Sequence, residues 1–304
     1  MTGPRGKTMS KQSVLYGLVA VGLAVCSAGV LFAVVGARHR GSASASPRAS
    51  ERFSADGYRV GIASSSQGVA EDPSGVPKAA APPETAVEDR LAQRVVVCID
   101  PGHPSETNSG RTVQNGTTEL LVNWQVALKL AAILEKQYHV RTVMTRTERD
   151  RLTTNRERAN IANRAHAALF LRLHCDTGHG SGFTLYYPDR QGTKNGVTGP
   201  PVEVIAASRT AANAVHAGMA EVLKGVQRDN GVKGDSATFI GSKQGALTGS
   251  IFCRVPAVTV EMVYLSNPSD AKYIHGQPGQ QQMADALARG VLRYLESQGQ
   301  QVSP

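Results

Sequence analysis

Two histidines and two glutamates, far apart in the chain, have the side chains that a catalytic metal site needs. His103 follows one apolar run and His174 ends another, both typical of buried strands, and Glu119 stands at the predicted start of a helix. Two imidazoles and one carboxylate leave the fourth position on zinc open for water, which is the catalytic arrangement. The set therefore predicts metal-assisted hydrolysis. Zinc would polarise a carbonyl and lower the pKa of water to about 7, and Glu261 would carry the proton.

Each of these residues also has an alternative interpretation. Glu261 lies inside the apolar run 257–263, where a charge is costly unless it has a partner or a function, and Arg172 and Arg254 are candidate partners. Glu119 suits the positive end of any helix dipole. His179 lies near His174 in the chain and could replace either histidine as a ligand. The remaining histidines of the exported part lie on or near predicted helices and are expected at the surface or in packing: His139, His166, His216 and His275.

No compact motif such as His-Glu-x-x-His contains these residues. They can therefore meet only if the fold, a succession of strands and helices, brings them together. Strands are predicted at 95–100, 140–146, 168–176, 182–188 and 257–263. Helices are predicted from Thr117 or Thr118, from the Thr154/Glu157 capping box, over 201–224, from Asn267 and Pro268, and over 279–295. We predict an α/β fold: a single three-layer domain with a mostly parallel central sheet flanked by helices. Candidate ligands would meet at the carboxyl edge of that sheet, beside a Gly-rich, irregular rim at 226–250.

The N-terminal third predicts export and membrane attachment. Residues 13–37 are uncharged and mostly apolar, and they are long enough to span a bilayer. Basic residues favour the N-terminal side slightly, which predicts a cytoplasmic N-terminus. A cleavage site at 43–45 and a lipoprotein-like box ending at Cys26 are the alternatives. We expect a cytoplasmic tail (1–12), a transmembrane signal anchor (13–37), a disordered linker (38–93), a catalytic domain (94–297) and a flexible tail (298–304).

Composition excludes one function class and bears on the cysteines. Five of the 33 Lys and Arg residues lie within residues 1–40, which contain no Asp or Glu, so the rest of the chain carries 28 basic against 24 acidic residues. That excess is too small for a nucleic-acid-binding protein. Cys98, Cys175 and Cys253 lie in or beside apolar runs and are expected to be buried thiols, with a Cys98–Cys175 disulfide as the alternative.

Four motifs, taken together and in order, resemble a known family. They are Asp100-Pro101-Gly102-His103, Glu119 opening a helix, Leu173-His174-Cys175-Asp176, and Val260-Glu261 followed by Leu265-Ser266-Asn267. Their order is similar to that in the zinc-dependent N-acetylmuramoyl-L-alanine amidases of the Amidase_3 family. Thr145-Arg146, Leu152, Arg156, Ala159-Asn160 and Leu169-Phe170 also follow that pattern, and the resemblance covers roughly residues 94–297.

The resemblance implies that His103, Glu119 and His174 bind one Zn²⁺ per catalytic domain and that Glu261 is the catalytic carboxylate. The implied reaction cleaves the amide between N-acetylmuramic acid and L-alanine, so the partners are peptidoglycan glycan strands and stem peptides. With the predicted anchor, we expect a monomeric single-pass membrane protein whose catalytic domain lies outside the cytoplasm, or a secreted form if the anchor is cleaved.

Some residues depart from the family pattern. Pro104, Ala168, Arg172 and Asp176 stand where glycine, aspartate, serine and asparagine are usual. Arg172 is the most consequential of these, because a cation near zinc would either alter metal affinity or help to bind an anionic stem peptide. Two other functions stay open: a zinc peptidase that cuts within the stem peptide, and an inactive wall-binding or regulatory homologue. The segment between Tyr187 and Pro201 is too short for the inhibitory helix that some relatives insert there.

Overall fold

The computed structural model describes residues 94–302, and these form an α/β fold. The strands in chain order are β1 (Val96–Pro101), β2 (Val113–Gln114), β3 (Thr117–Thr118), β4 (Arg141–Met144), β5 (Leu169–Asp176), β6 (Phe183–Tyr187), β7 (Gly192–Lys194), β8 (Val197–Gly199), β9 (Asp229–Gly234) and β10 (Ala257–Tyr264). The helices are α1 (Glu119–Gln137), α2 (Asn155–Arg164), α3 (Val202–Leu223), α4 (Phe239–Gln244), α5 (Thr248–Ile251), α6 (Pro268–His275) and α7 (Gln277–Ser297).

A six-stranded sheet in the order β4-β1-β5-β10-β6-β9 forms the centre of this region. The pairs β4–β1, β1–β5, β5–β10 and β6–β9 are parallel, and β10–β6 is antiparallel. The prediction of a mostly parallel sheet flanked by helices is therefore confirmed. β6 runs against β10 because only the short segment 177–182 separates it from β5, and a parallel return needs a crossover of a dozen or more residues.

The two faces of the sheet differ in character. One face carries the main hydrophobic core, where residues such as Leu171, Leu173 and Val260 pack against α1, α3 and α7. The other face carries a smaller apolar cluster around Phe170 under α2 and α5. Because side chains alternate along a strand, Arg172 and His174 share this second face with Phe170. Polar side chains thus follow apolar ones toward the carboxyl ends of the strands.

Helix boundaries follow the capping residues seen in the sequence. Thr118, rather than Thr117, caps α1, since its hydroxyl accepts a hydrogen bond from the amide of Leu121. Thr154 caps α2 through the amide of Glu157, and Asn267 caps α6 with Pro268 as the first helical residue. The α1 cap makes Glu119 the first residue of that helix.

Two features differ from the sequence expectations. The stretch 226–250 is more regular than predicted, since it contains β9, a 3₁₀ turn at Asp235–Ala237, α4 and most of α5. Apolar residues at helical spacing in the sequence predict the core-facing side of α1: Leu120, Trp124, Ala127, Leu128, Ala131 and Leu134. This prediction is partly wrong, because Leu128 is 47% exposed whereas Val126 and Leu130 are buried. That helix is apolar on more than one side, so periodicity alone does not identify its packed face.

Cys98, Cys175 and Cys253 are free and buried, as predicted. Within residues 94–302, none of the helices has the length and hydropathy that a bilayer crossing requires. The predicted tail (1–12), transmembrane anchor (13–37) and linker (38–93) lie outside the described residues, as do the last two residues of the chain.

Candidate metal centre and active site

His103, Glu119 and His174 converge at one point, as the sequence predicted. The Nε2 atom of His103 lies 3.0 Å from Oε2 of Glu119, and Nδ1 of His174 lies 3.0 Å from Oε1 of the same carboxylate. The three donor atoms all lie within 4.8 Å of one another. His103 comes from the loop after β1, Glu119 from the first turn of α1, and His174 from the end of β5. His179 is exposed and does not join this group.

The donor chemistry of this group fits a divalent metal ion. The carbonyl of Asn108 can only accept, so Nδ1 of His103 donates to it at 3.1 Å, and in the neutral ring Nε2 keeps its lone pair. That lone pair faces a carboxylate oxygen at 3.0 Å, and a cation bound between the two atoms would remove their repulsion. Donors bound to one tetrahedral zinc at about 2.0–2.1 Å lie about 3.3 Å apart, close to the observed spacing.

Protonation of the group also suits metal binding. Burial alone would raise the pKa of Glu119, but the contacts of its oxygens with the His103 and His174 rings hold it well below the ordinary value. Burial lowers the pKa of His174, which keeps that imidazole neutral. A carboxylate and a neutral imidazole are the forms that bind metals. The amide of Cys175 donates to Oε1 of Glu119 at 3.1 Å and fixes the orientation of the carboxylate.

Two glycines leave room for the imidazole rings. A Cβ atom on Gly102 would lie 2.5 Å from Cε1 of His174, and one on Gly110 would lie 2.6 Å from Cβ of His103. Gly110 also has a φ of +66°, in the region that favours glycine. His103 itself has a φ of +60°, a conformation that a non-glycine residue keeps only where its surroundings enforce it.

Two buried arginines hold the loop that carries His103. Arg146 donates to the carbonyl of Pro101 at 3.1 Å, and Arg158 donates to the carbonyls of Pro101 at 2.9 Å and Pro104 at 2.7 Å. Asp100 is fully buried beneath them and pairs with Arg158. Burial would raise the pKa of Asp100, but its ion pairs hold the pKa well below the ordinary value.

Sequence reasoning missed the role of Arg158. It singled out Arg156, which is exposed and lies over the ring of Phe252. Both arginines lie on α2, and only the packing of that helix against the sheet distinguishes them. The available signal was Asp100, a charged residue ending an apolar strand, since such a residue requires a buried cation as partner.

Glu261 faces the same site from the neighbouring strand. It lies directly opposite His174 in the β10–β5 register, in the middle of β10 rather than at its end. We had expected the site at the carboxyl edge of the sheet alone. It extends from that edge onto one face of the sheet. Among the described residues Glu261 forms no ion pair, and its buried Oε2 has no hydrogen-bond partner. The predicted alternative of a pair with Arg172 is not seen, because Arg172 pairs with Asp100.

The environment of Glu261 raises the proton affinity of its carboxylate. Burial raises the pKa of this carboxyl well above its ordinary value, and the nearby charges of Glu119 and Asp176 raise it further. A buried carboxyl with a shifted pKa and an oxygen that has no hydrogen-bond partner is suited to acid–base chemistry.

A cleft of about 420 Å³ opens above these residues. Its floor contains His103, His174 and Glu261, and its walls include Arg172 and Lys194. One rim is built by the segment 239–248, where Ile240, Gln244, Leu247 and Thr248 lie. The remaining histidines lie elsewhere on the described part of the chain, and His216 pairs with Asp229 at 2.8 Å.

Comparison with known proteins identifies relatives of this arrangement. Residues 97–293 match the family model of the N-acetylmuramoyl-L-alanine amidases. The chain is 28% identical over 236 residues to N-acetylmuramoyl-L-alanine amidase Rv3717 of Mycobacterium tuberculosis, covering 68% of this chain and 88% of that protein. It is 30% identical over 200 residues to the sporulation-specific N-acetylmuramoyl-L-alanine amidase of Bacillus subtilis, covering 65% and 67% of the two chains.

A solved structure gives the same result at the level of the fold. The crystal structure of N-acetylmuramoyl-L-alanine amidase from Clostridium difficile 630 superposes with a TM-score of 0.55 at 25% identity. The match covers 68% of this chain and 99% of that structure. Since the family model spans most of the described residues, this chain belongs to the Amidase_3 family of N-acetylmuramoyl-L-alanine amidases.

Proposed function

We propose that this protein is a zinc-dependent amidase that hydrolyses the bond between N-acetylmuramic acid and L-alanine in peptidoglycan. One observation carries the proposal: three metal-binding donors lie within 4.8 Å of one another, beside a buried carboxyl that has no partner among the described residues. The family match and the names of the relatives supply the substrate. Its partners would be glycan strands and stem peptides.

The ligands in this proposal are His103, Glu119 and His174. A zinc ion bound there supplies Lewis-acid polarisation of the scissile carbonyl and makes water more acidic. The hydrogen bond from Nδ1 of His103 to Asn108 holds the ring with Nε2 toward the site. The amide of Cys175 holds the Glu119 carboxylate in the same way.

Glu261 would move the proton. Water adds to the carbonyl carbon and gives one proton to the Glu261 carboxylate. The carbon–nitrogen bond then breaks, and the carboxyl returns that proton to the departing nitrogen of L-alanine. The raised pKa of Glu261 makes its carboxylate a stronger base toward the water proton than an exposed glutamate would be.

Mass spectrometry of digested muropeptides tests this function. The full chain loaded with zinc should release stem peptides with a free L-alanine amino group, and a chelator should abolish that release. A zinc peptidase would instead leave N-acetylmuramic acid substituted with part of the peptide. An inactive homologue would release nothing, although it would still bind the polymer.

We further propose that residues 13–37 anchor the chain in the cell membrane with the catalytic domain outside the cytoplasm. The uncharged apolar run and the position of peptidoglycan outside the membrane support this placement. Protease treatment of intact spheroplasts should remove the catalytic domain, whereas a cytoplasmic domain would be protected.

A further inference from the structure

Arg172 lies beside the metal centre and is held in one orientation. It precedes His174 by two residues on β5, so both side chains are on the same face of the sheet. Its Nε donates to Asp100 at 3.1 Å, and its Nη2 donates to Asn155 at 3.0 Å. The backbone of Gly249 packs on the guanidinium so closely that a Cβ there would lie 2.5 Å from Cζ.

One nitrogen of this guanidinium remains available. Within residues 94–302, Nη1 of Arg172 makes no hydrogen bond, and it is not among the buried atoms that lack partners. Arg172 lines the cleft, where Nη1 lies next to Gly249: a Cβ on that glycine would lie 2.6 Å from it. Arg158 lines it too, but its guanidinium is already bonded to Asp100 and to three backbone carbonyls.

Two guanidiniums of the cleft lining, those of Arg158 and Arg172, share one carboxylate. Asp100 is the counter-ion of both Arg158 and Arg172, and among the described residues neither arginine forms another ion pair. The carboxyls of Asp235 and Glu261 also lie near enough to Arg172 for its charge to lower their pKa values, but neither forms an ion pair with it among the described residues.

We propose that Arg172 binds a free carboxylate on the stem-peptide residue that follows L-alanine, an inference that rests on the proposed function. Arg172 and His174 are about 6.6 Å apart along the strand. In an extended peptide, the carboxylate carbon of the next residue lies about 7 Å from the scissile carbonyl carbon. The two lengths are similar, so a substrate with its carbonyl at the metal centre and its peptide running toward Arg172 would bring that carboxylate to the guanidinium. Arginine recognises carboxylates better than lysine does, because its planar fork matches their geometry.

Two matched substrates test the proposal. They are N-acetylmuramoyl-L-alanyl dipeptides whose second residue ends either in a free carboxylate or in the corresponding carboxamide. The full-length zinc-loaded chain should cleave the carboxylate form with kcat/KM about 10- to 100-fold higher, the range for a charge-assisted hydrogen bond at a partly desolvated site. A preference below about 3-fold overturns the proposal and leaves the amidase function standing. If neither substrate is cleaved, both proposals fail.

Substitutions in the cleft then show which residue causes a preference for the carboxylate substrate. Arg172→Gln should reduce it to about 3-fold or less, Arg172→Lys should keep part of it, and Lys194→Gln should leave it unchanged. If Arg172→Gln does not fold, as judged by its thermal transition, the Arg172→Lys and Lys194→Gln variants show which residue causes the preference. A preference that survives Arg172→Lys in full and disappears in Lys194→Gln would place the anion on Lys194 and overturn the proposal.

Two further measurements distinguish anion binding from a purely structural role. The released dipeptides, which are not hydrolysed, should bind the wild type with the same carboxylate preference when titrated by calorimetry. If Arg172 acted only on Glu261, its replacement would shift the pH profile equally for both substrates and would leave their ratio unchanged. That result overturns the proposal.

Discussion

Replacing Gly102 by alanine should impair zinc binding through a single methyl group. The added Cβ would lie 2.5 Å from Cε1 of His174 and 2.7 Å from each of its ring nitrogens. Carbon atoms in contact normally stay about 3.5 Å apart, so the ring has to move by about 1 Å. Zinc–nitrogen distances tolerate only about 0.2 Å, so a shift of that size disrupts the ligand geometry.

The expected magnitude has two parts. Overpacking should lower the free energy of unfolding of the metal-free protein by about 1–3 kcal/mol. Zinc affinity should fall by about 10- to 100-fold, which is the usual effect of disturbing the residues that orient a ligand. Gly276→Ala is a matched control, because its nearest neighbours would lie 3.7–3.9 Å from the new Cβ. Neither glycine has a positive φ, so backbone strain does not separate the two variants.

Competition with a chromogenic chelator measures the zinc affinity, and urea denaturation measures the stability. Wild-type zinc affinity in a folded Gly102→Ala protein would refute this reasoning. It would mean either that His174 is not a ligand or that its ring does not occupy the position described. A loss of affinity as large in Gly276→Ala would equally show that the effect is not local.

The other predictions concern individual charged side chains. Glu261→Ala should keep the fold and the zinc but abolish hydrolysis, measured by metal stoichiometry and muropeptide release; residual activity above about 1% would argue against its role as the proton carrier. His174→Ala should lose zinc, and unchanged stoichiometry would make His179 the next ligand to test. Asp100→Asn should lower the free energy of unfolding at pH 7 by about 3–5 kcal/mol, since it breaks a buried ion pair. The folded-state pKa of Asp100 is depressed, so its contribution is present above about pH 4 and is lost as the pH falls further, and urea titrations at pH 7 and 3 should show the gap narrowing. Burial raises the pKa of Asp235 to about 6, so this residue should cost stability as the pH rises from about 4 to 6. Asp235→Asn should reduce that slope, to which Glu261 also contributes, and should be more stable at pH 8 by about 1–3 kcal/mol; an unchanged slope would contradict the assignment.

The sequence by itself determined the local structure and the donor set. Apolar runs ending in turns predicted the strands, and Thr154 and Asn267 predicted helix starts, because capping depends on residues close together in the chain. His103, Glu119 and His174 could be selected for the same reason: each stands where a strand ends or a helix begins, and such positions converge in a parallel sheet.

Only the tertiary structure decided which side chains are neighbours across strands and helices. The register of β10 on β5 sets Glu261 opposite His174 and away from an ion pair, and no local pattern contains that register. The packing of α2 buries Arg158 and exposes Arg156, although both lie on the same helix. Asp100 takes Arg158 and Arg172 as partners, and Nη1 of Arg172 makes no hydrogen bond among the described residues. Periodicity fixes the face on which a side chain lies, but long-range pairing fixes what that face meets.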